Sequence, residues 1–419
     1  MKKIIISLCS IAICIALLVS LTGCGDMPVQ ANDLMEGVEP QKVETPPLTD
    51  VFSKSTADFS IKLLQQTYTD EKNTLVAPLS VLTALAMTAN GADGETLTQM
   101  EKVLGGGQSI ADLNGYLKTF FDTRENTEKV KFTTANSIWF RDDADRLTVE
   151  QDFLQKNADY YGAAAYKAPF DNQTVKDINR WVKQNTDGMI KKVVDEISPE
   201  TMLYLINTLV FDGEWQVIYK RENVRDGIFT NINGEEQSAK MMYCGLNQYL
   251  EDGMATGFVK NYAGGQYSFV ALLPNEGVSL SSYVESLTGE KFRNTFLQAK
   301  KTSVKSAIPK FSYDCNFTLN DGLKAMGLKN AFDGADADFS AMGHSVDGNL
   351  YIGRVVHKTF ISVDERGTKA GAVTSVQVDG NSAPMETYMV HLDRPFVYAI
   401  VDNATGLPVF MGTVVSLAE

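Results

Sequence analysis

Apolar residues at helical spacing open the folded part of the chain. Phe52, Phe59 and Leu63 recur on one face, and Val81, Leu82, Leu85 and Ala86 follow Pro78, which a first helical turn tolerates because the missing N–H has no helical partner there anyway. Gly91 and Gly94 end this second helix, and Thr96 to Leu104 resumes the pattern until Gly105, Gly106 and Gly107 stop it. A further helix is predicted from Ile178 toward Val194, with Trp181 and Val182 on its apolar side. Beyond it the pattern turns strand-like: Leu203 to Phe211, Ser268 to Leu273, Val304 to Phe311, Tyr351 to Val363, and Phe396 to Val401 turning through Asn403 and Gly406 into Val409 to Val415. Helices first and strands later predict an α+β fold rather than alternating α/β, and no fixed-period repeat interrupts it.

The first residues follow another logic. Lys2 and Lys3 precede an apolar run from Ile4 to Ser20 that ends in Leu21-Thr22-Gly23-Cys24, the form of a secretory leader and short for a spanning helix. Small residues before a Cys resemble a bacterial lipoprotein signal, so residues 1–23 are expected to be a signal peptide and Cys24 a lipidated N-terminus. An ordinary signal with a chance Cys and an uncleaved helix are the alternatives. The lipoprotein reading places the protein outside the cell, anchored by lipid to a bacterial surface. Across residues 24–49, Pro28, Pro40, Pro46 and Pro47 sit among Asp26, Asp33, Glu36, Glu39 and Glu44 with few large apolar side chains. That composition predicts a tether, which at ~3.1 Å per residue over about 25 residues reaches roughly 75 Å. No later stretch resembles a linker, so residues 50–419 are expected to form one domain.

Composition narrows the chemistry. The 419 residues carry 38 Lys+Arg against 52 Asp+Glu, and removal of Lys2 and Lys3 with the leader takes the net charge from −14 to −16. Such a surface disfavours nucleic acid. Cys9 and Cys14 leave with the leader, so Cys244 and Cys315 remain, too few for a disulfide framework and without a CxxC spacing; free buried thiols are expected. The chain has three His, at 344, 357 and 391, and no HExxH, P-loop or GxGxxG after a strand, so no metal or cofactor is expected. Gly343-His344-Ser345-Val346-Asp347-Gly348 approaches a nucleophile elbow but is one residue too long, and reads as a loop. A Ser/His/Asp triad assembled from distant positions stays open, because triads are recognised by geometry. Asn172, Asn316 and Asn403 begin glycosylation sequons that a bacterial leader makes fortuitous.

The informative segment runs from Glu365 to Val390. From Thr368 to Val378 the even positions are Thr, Ala, Ala, Thr, Val and Val, while Lys369, Gly371, Val373, Ser375 and Gln377 alternate with them. This is period two with one small, mostly apolar face, which suits a strand fitted between two neighbours. Asp379-Gly380-Asn381-Ser382-Ala383-Pro384 then reads as a loop tip. A strand-competent stretch therefore leads into an exposed loop.

Here the sequence resembles the serpin family over essentially all of Val51 to Glu419. The matching stretches include Asn73 through Ala77-Pro78-Leu79-Ser80 to Gly91-Ala92-Asp93-Gly94, Ala135-Asn136-Ser137, Ile178-Asn179-Arg180-Trp181-Val182 with Thr186-Asp187-Gly188, and Asn207 to Trp215. Met241-Met242, Ile308 to Phe311, Met326-Gly327-Leu328, Ala331-Phe332, Asp338-Phe339-Ser340, His357-Lys358, Glu365 to Thr374, Arg394-Pro395-Phe396 and Phe410-Met411-Gly412 follow in order. The resemblance implies a single α+β domain of three sheets and about nine helices, with a reactive loop at about 365–392 that baits a protease. It implies that the target's nucleophile forms an acyl-enzyme with the loop, which then enters the main sheet as a strand and drags the enzyme with it.

Site residues carry over position by position. Glu365, Gly367, Thr368, Ala370, Ala372 and Thr374 match the hinge, with small uncharged groups on the inserting face as in inhibitory members and Lys369 facing outward. Ser80, Asn207 and His357 match the polar cluster under the central strands where the sheet parts. Trp215, Lys310 and Glu365 match the site where the loop first enters, with Lys310 and Glu365 as an ion pair. Two departures stand out: Ala77 replaces a Ser and removes a hydroxyl from the cluster, and Met189 replaces a Lys. Family spacing counted from Gly367 puts the scissile bond at Asn381–Ser382, whereas counting back from Pro395 gives Pro384–Met385, because the loop is about three residues long for the family. Asn381–Ser382 is the expected bond and Met385–Glu386 the alternative. The implied partner is a serine protease, with a cysteine protease as the alternative target, and the implied state is a monomer. A non-inhibitory binding protein of the same fold and a secreted hydrolase are the competing functions.

Overall fold

The computed structural model describes residues 28–142, 146–186, 188–198, 201–346, 348–368 and 387–417. The leader, Cys24, and the loop positions Ala370, Ala372, Thr374, Asn381, Ser382, Met385 and Glu386 lie outside the described residues.

Three sheets and nine α-helices form among the described residues. The main sheet runs in the order β1 (Asn32–Asp33), β5 (Ala164–Ala168), β3 (Val130–Arg141), β6 (Leu203–Glu214), β15 (Gly367–Thr368), β14 (Ile352–Val363) and β12 (Phe311–Thr318). A second sheet takes β16 (Thr387–His391), β11 (Lys300–Pro309), β8 (Glu236–Glu251), β9 (Ala255–Asn261), β10 (Tyr267–Pro274), β17 (Phe396–Asp402), β18 (Leu407–Val414) and β2 (Thr74–Val76), with β7 (Val224–Thr230) on β8. The third is β13 (Gly343–Ser345) paired with β4 (Leu147–Val149).

Burial explains the central elements. In β6 the run from Leu203 to Phe211 is buried on both faces, which its continuous apolar sequence requires. On one face, Trp139, Tyr204, Ile206 and Val356 pack with Ile178, Trp181 and Val182 of the helix Asn172–Asn185. On the other lies the helix Pro78–Ala89, mostly apolar and buried at every position.

The helix predicted from Ile178 toward Val194 instead spans Asn172–Asn185. It starts earlier because the Asp171 carboxylate accepts from the amides of Gln173 and Thr174 at 2.8 and 2.9 Å. It stops because Gly188 takes a left-handed φ of 73° and the Asn179 side chain captures the amides of Val193 and Val194. The strand predicted over Val304 to Phe311 is divided at Lys310 between β11 and β12, which belong to different sheets.

The tether is the larger correction. Residues 28–49 lie against the domain. Asn32 and Asp33 pair with Lys167 and Tyr166 on the outer edge of the main sheet, the Leu34 amide donates to Ala165 at 2.9 Å, and Leu34, Met35, Val38 and Leu48 pack on the core. Pro46 sits so close to Gly115 that a Cβ there would meet it at 2.7 Å, and Pro46 O accepts from Thr119. Proline and acid content predict solvation, but Leu34, Met35, Val38 and Leu48, with Val29 and Ala31 on the second core cluster, dock the segment at irregular spacing. Replacing both Leu34 and Met35 with Asp is expected to remove about 2–3 kcal/mol of packing. The segment then detaches, read as faster tryptic cleavage after Lys42 and a lower melting temperature.

Candidate functional site

The site is a gap in the main sheet. β6 and β14 pair in parallel from Ile352↔Leu203 to His357↔Asn207, and the pairing stops there. At the far end β15 sits between them, antiparallel to both, with Thr368 opposite Val363 and Gly213 and Gly367 opposite Glu214. Between these two points is a narrow cleft bordered by Leu209, Phe211, Phe360, Ile361 and Thr368, and lined also by Met189 and Ile190. Met189, the departure from the family's Lys, thus borders the gap.

The closed end of the gap is bolted by the N-terminus of the helix Pro78–Ala89. The Ser80 hydroxyl donates to Asn207 Oδ1, and Asn207 Nδ2 donates back to Ser80 O at 2.7 Å and to Asn136 Oδ1 at 2.5 Å. On the β14 side, the Ala77 amide donates to His357 Nε2 at 2.9 Å. One helix end therefore ties β3 and β6 through side chains and β14 through an imidazole. The hydroxyl missing at Ala77 is not needed for this contact, because the backbone supplies the donor. With Nε2 accepting, the proton is assigned to Nδ1, which is buried without a partner among the described residues. Such an orphan costs about 1–3 kcal/mol, and it lies at the step where the pairing ends. Burial also pulls the His357 pKa down to about 3.

At the open end, the backbone from Asp364 to Arg366 is held by the segment 215–219. Trp215 donates from its indole to Asp364 O at 2.9 Å and from its amide to Arg366 O at 2.8 Å, and the Tyr219 amide donates to Glu365 O at 2.8 Å. Trp215 stacks on Tyr262 at 4.6 Å, and the Tyr262 hydroxyl reaches Thr368 Oγ1 at 2.5 Å. The expected Lys310–Glu365 ion pair forms, and the ammonium holds the Glu365 carboxyl below the usual carboxylate range. Both side chains are about a third exposed or more, at 32% and 41%, so the pair is worth about 1 kcal/mol or less. The aromatic stack and backbone bonds dominate. Asn136 lies in the matching stretch Ala135-Asn136-Ser137 but carries no role there, and Tyr219 and Tyr262 lie in no matching stretch; each gains its part from a side-chain bond, a backbone bond or a stack between distant positions.

The three His are otherwise engaged: His357 as above, exposed His344 with Glu150 at 3.3 Å, and His391 edge-on to Tyr243. Cys244 and Cys315 are free, and burial pushes the Cys315 thiol up to about 11.

A family profile described as Serpin (serine protease inhibitor) matches residues 54–417. The chain is a serpin. The thermophilic serpin tengpin in its native state is 49% identical, covering 93% of this chain and 100% of that one with a TM-score of 0.89, against 0.80 for tengpin's latent state over 89% and 100%. Human serpin B4 is 32% identical over 86% of this chain and 98% of its own, and an uncharacterized serpin-like protein of Thermococcus kodakarensis is 31% identical over 84% and 83%. Serpins are protease inhibitors rather than enzymes, and this serpin has relatives named as such inhibitors.

Two measurements probe the two ends of the gap. His357 is neutral in the fold down to about pH 3 but titrates near 6.5 when unfolded, so the unfolded chain binds the extra proton between these values. Its contribution is complete above pH 6.5 and is lost as the pH falls toward 3, with a slope of up to about 1.4 kcal/mol per pH unit. Denaturant midpoints over this range should fall less steeply in His357→Gln. At the other end, a Cβ on Gly367 would lie 2.0 Å from Gly213 O and 2.9 Å from Glu214 Cα, backbone that cannot step aside. Gly367→Ala is expected to unseat β15 at a local cost of about 1–3 kcal/mol, read as faster amide exchange at Gly213 to Trp215 in a folded protein.

Proposed function

We propose that this serpin inhibits a serine endopeptidase by covalent trapping, its cleaved loop entering the main sheet between β6 and β14. The observation that carries the reading is the register of β15. Gly367 and Thr368 already occupy the first two steps of the gap, antiparallel to both walls. Continued in that register, residues 369–373 meet backbone that has no cross-gap partner among the described residues, and Thr374 arrives opposite both His357 and Asn207. Residues 375–378 then have to part the β6–β14 pairs from Val356↔Ile206 down to the Leu203 level. The even-numbered side chains from Thr368 onward share the face on which Thr368 meets Tyr262, which is the small, apolar set of the alternating pattern. Insertion is thus easy as far as the Ala77/Ser80 bolt and opposed beyond it.

About a dozen inserted residues at ~1 kcal/mol net per hydrogen bond yield on the order of 10 kcal/mol, comparable with the stability of a whole domain. The intact fold is then kinetically held. The acyl-enzyme must be carried past the bolt before water releases it, so trapping is a race between insertion and hydrolysis. Asn381–Ser382 lies just beyond the last step of the inserted register, which supports it over Met385–Glu386. The exported, Cys24-anchored form belongs to the same proposal, since a surface inhibitor meets proteases from its surroundings.

Incubation with a panel of serine and cysteine proteases tests the reading. A detergent-stable complex with a serine enzyme, and a released C-terminal peptide beginning at Ser382 by mass spectrometry, are the expected results. A loop that is merely cut, with no complex and no gain in melting temperature, overturns it. The cleaved protein should melt roughly 10–15 °C above the intact one. Thr374→Arg would bury an unpaired charge at the bolt and should turn the inhibitor into a substrate while leaving the intact fold's melting temperature unchanged.

A further inference from the structure

Lys260, on β9, is 3% exposed. Its ammonium donates to Val217 O at 3.0 Å and lies 4.3 Å from the centroid of the Tyr219 ring and 5.1 Å from that of Trp215. No carboxylate of the described residues pairs with it, and burial pulls its pKa below the usual lysine value. An unpaired buried ammonium is among the costlier groups a fold can hold, and a methionine would fill the same volume without that cost. The charge therefore needs a reason.

Its surroundings supply one. Residues 216–220 have no regular secondary structure, and past the Trp215↔Tyr262 bridge and the Gln216 amide on Asn261 O at 3.0 Å no ladder shapes residues 217–220. Yet Trp215 and Tyr219, which bracket Val217, give the three hydrogen bonds that hold Asp364 to Arg366. The Val217 side chain is 52% exposed while its carbonyl turns inward to the ammonium. The Tyr219 ring is fixed from behind, its hydroxyl accepting from Cys244 Sγ at 3.4 Å. The segment is wrapped around a cation, through one carbonyl and two ring faces, each of which attracts a desolvated positive charge.

We propose that Lys260 is a positioning residue for the hinge: its ammonium holds segment 215–219 in the shape that seats Gly367 and Thr368 between β6 and β14. It touches neither the loop nor a protease and acts only through Trp215, Val217 and Tyr219. The proposal deepens the inhibitory reading, since the hinge is where that reading starts insertion.

Hydrogen exchange on the intact full chain tests it without any protease. In Lys260→Met, peptides spanning Trp215 to Lys220 should exchange about tenfold faster or more, while the melting temperature stays level or rises because the desolvation cost is gone. Lys260→Arg keeps the charge and should retain wild-type protection. The proposal is overturned if Lys260→Met exchanges within about twofold of wild type, if its loss of protection spreads evenly over the sheet with a lower melting temperature, or if Lys260→Arg loses protection as Lys260→Met does. A wild-type protein that traps no protease would refute the inhibitory reading and leave this comparison to decide the role of Lys260.

Discussion

Everything in this molecule turns on two long strands that are neighbours along only part of their length. β6 and β14 share hydrogen bonds from the Leu203 level to His357 and then diverge around a cleft whose far end is plugged by two residues of the hinge. A central sheet position that no strand fills among the described residues is an unusual thing for a fold to keep, because backbone donors and acceptors in a buried sheet ordinarily find partners. The chain holds it open by pinning both walls to one helix end and by seating a short plug at the other. Each pin rests on a few hydrogen bonds and contacts, which fits the proposed opening of the sheet.

The bolt and the plug differ in chemistry, and the difference is informative. At the helix end the contacts are neutral, dry and short, made by Ser80, Asn136, Asn207 and His357 with a main-chain amide. Geometry and burial set their strength, so salt should hardly touch them. At the plug the work is divided between aromatic stacking, backbone bonds and one half-exposed ion pair, and only the last should respond to ionic strength.

Much of this was legible in the sequence, for definable reasons. Helix Pro78–Ala89 and strand β6 announce themselves because each is apolar beyond what a surface element needs, and the alternation after Thr368 advertises a strand-competent loop. Ser80, Asn207 and His357 were named through resemblance and meet around a single helix end. What stayed hidden was long-range. Lys260 on β9 and Tyr262 just after it lie more than a hundred positions from the hinge, and nothing in their local pattern separates them from ordinary core or surface residues. Residues 28–49 mislead for the opposite reason: their composition signals solvation, while docking depends on a few scattered apolar contacts that composition averages away.

The docked amino-terminal segment also fixes which way up the molecule would stand. β1 joins the main sheet beside Lys167 and Tyr166, next to Trp139 and the Leu203 end of β6, whereas the hinge enters at the Gly213 end. Only residues 25–27 separate Cys24 from Pro28, which Arg180 already grips, so a lipid on Cys24 would leave about 13 Å of slack. The bait would point away from the bilayer, toward arriving enzymes. Capture would then swing the victim down to the lipid side, where headgroups would crowd it against its captor.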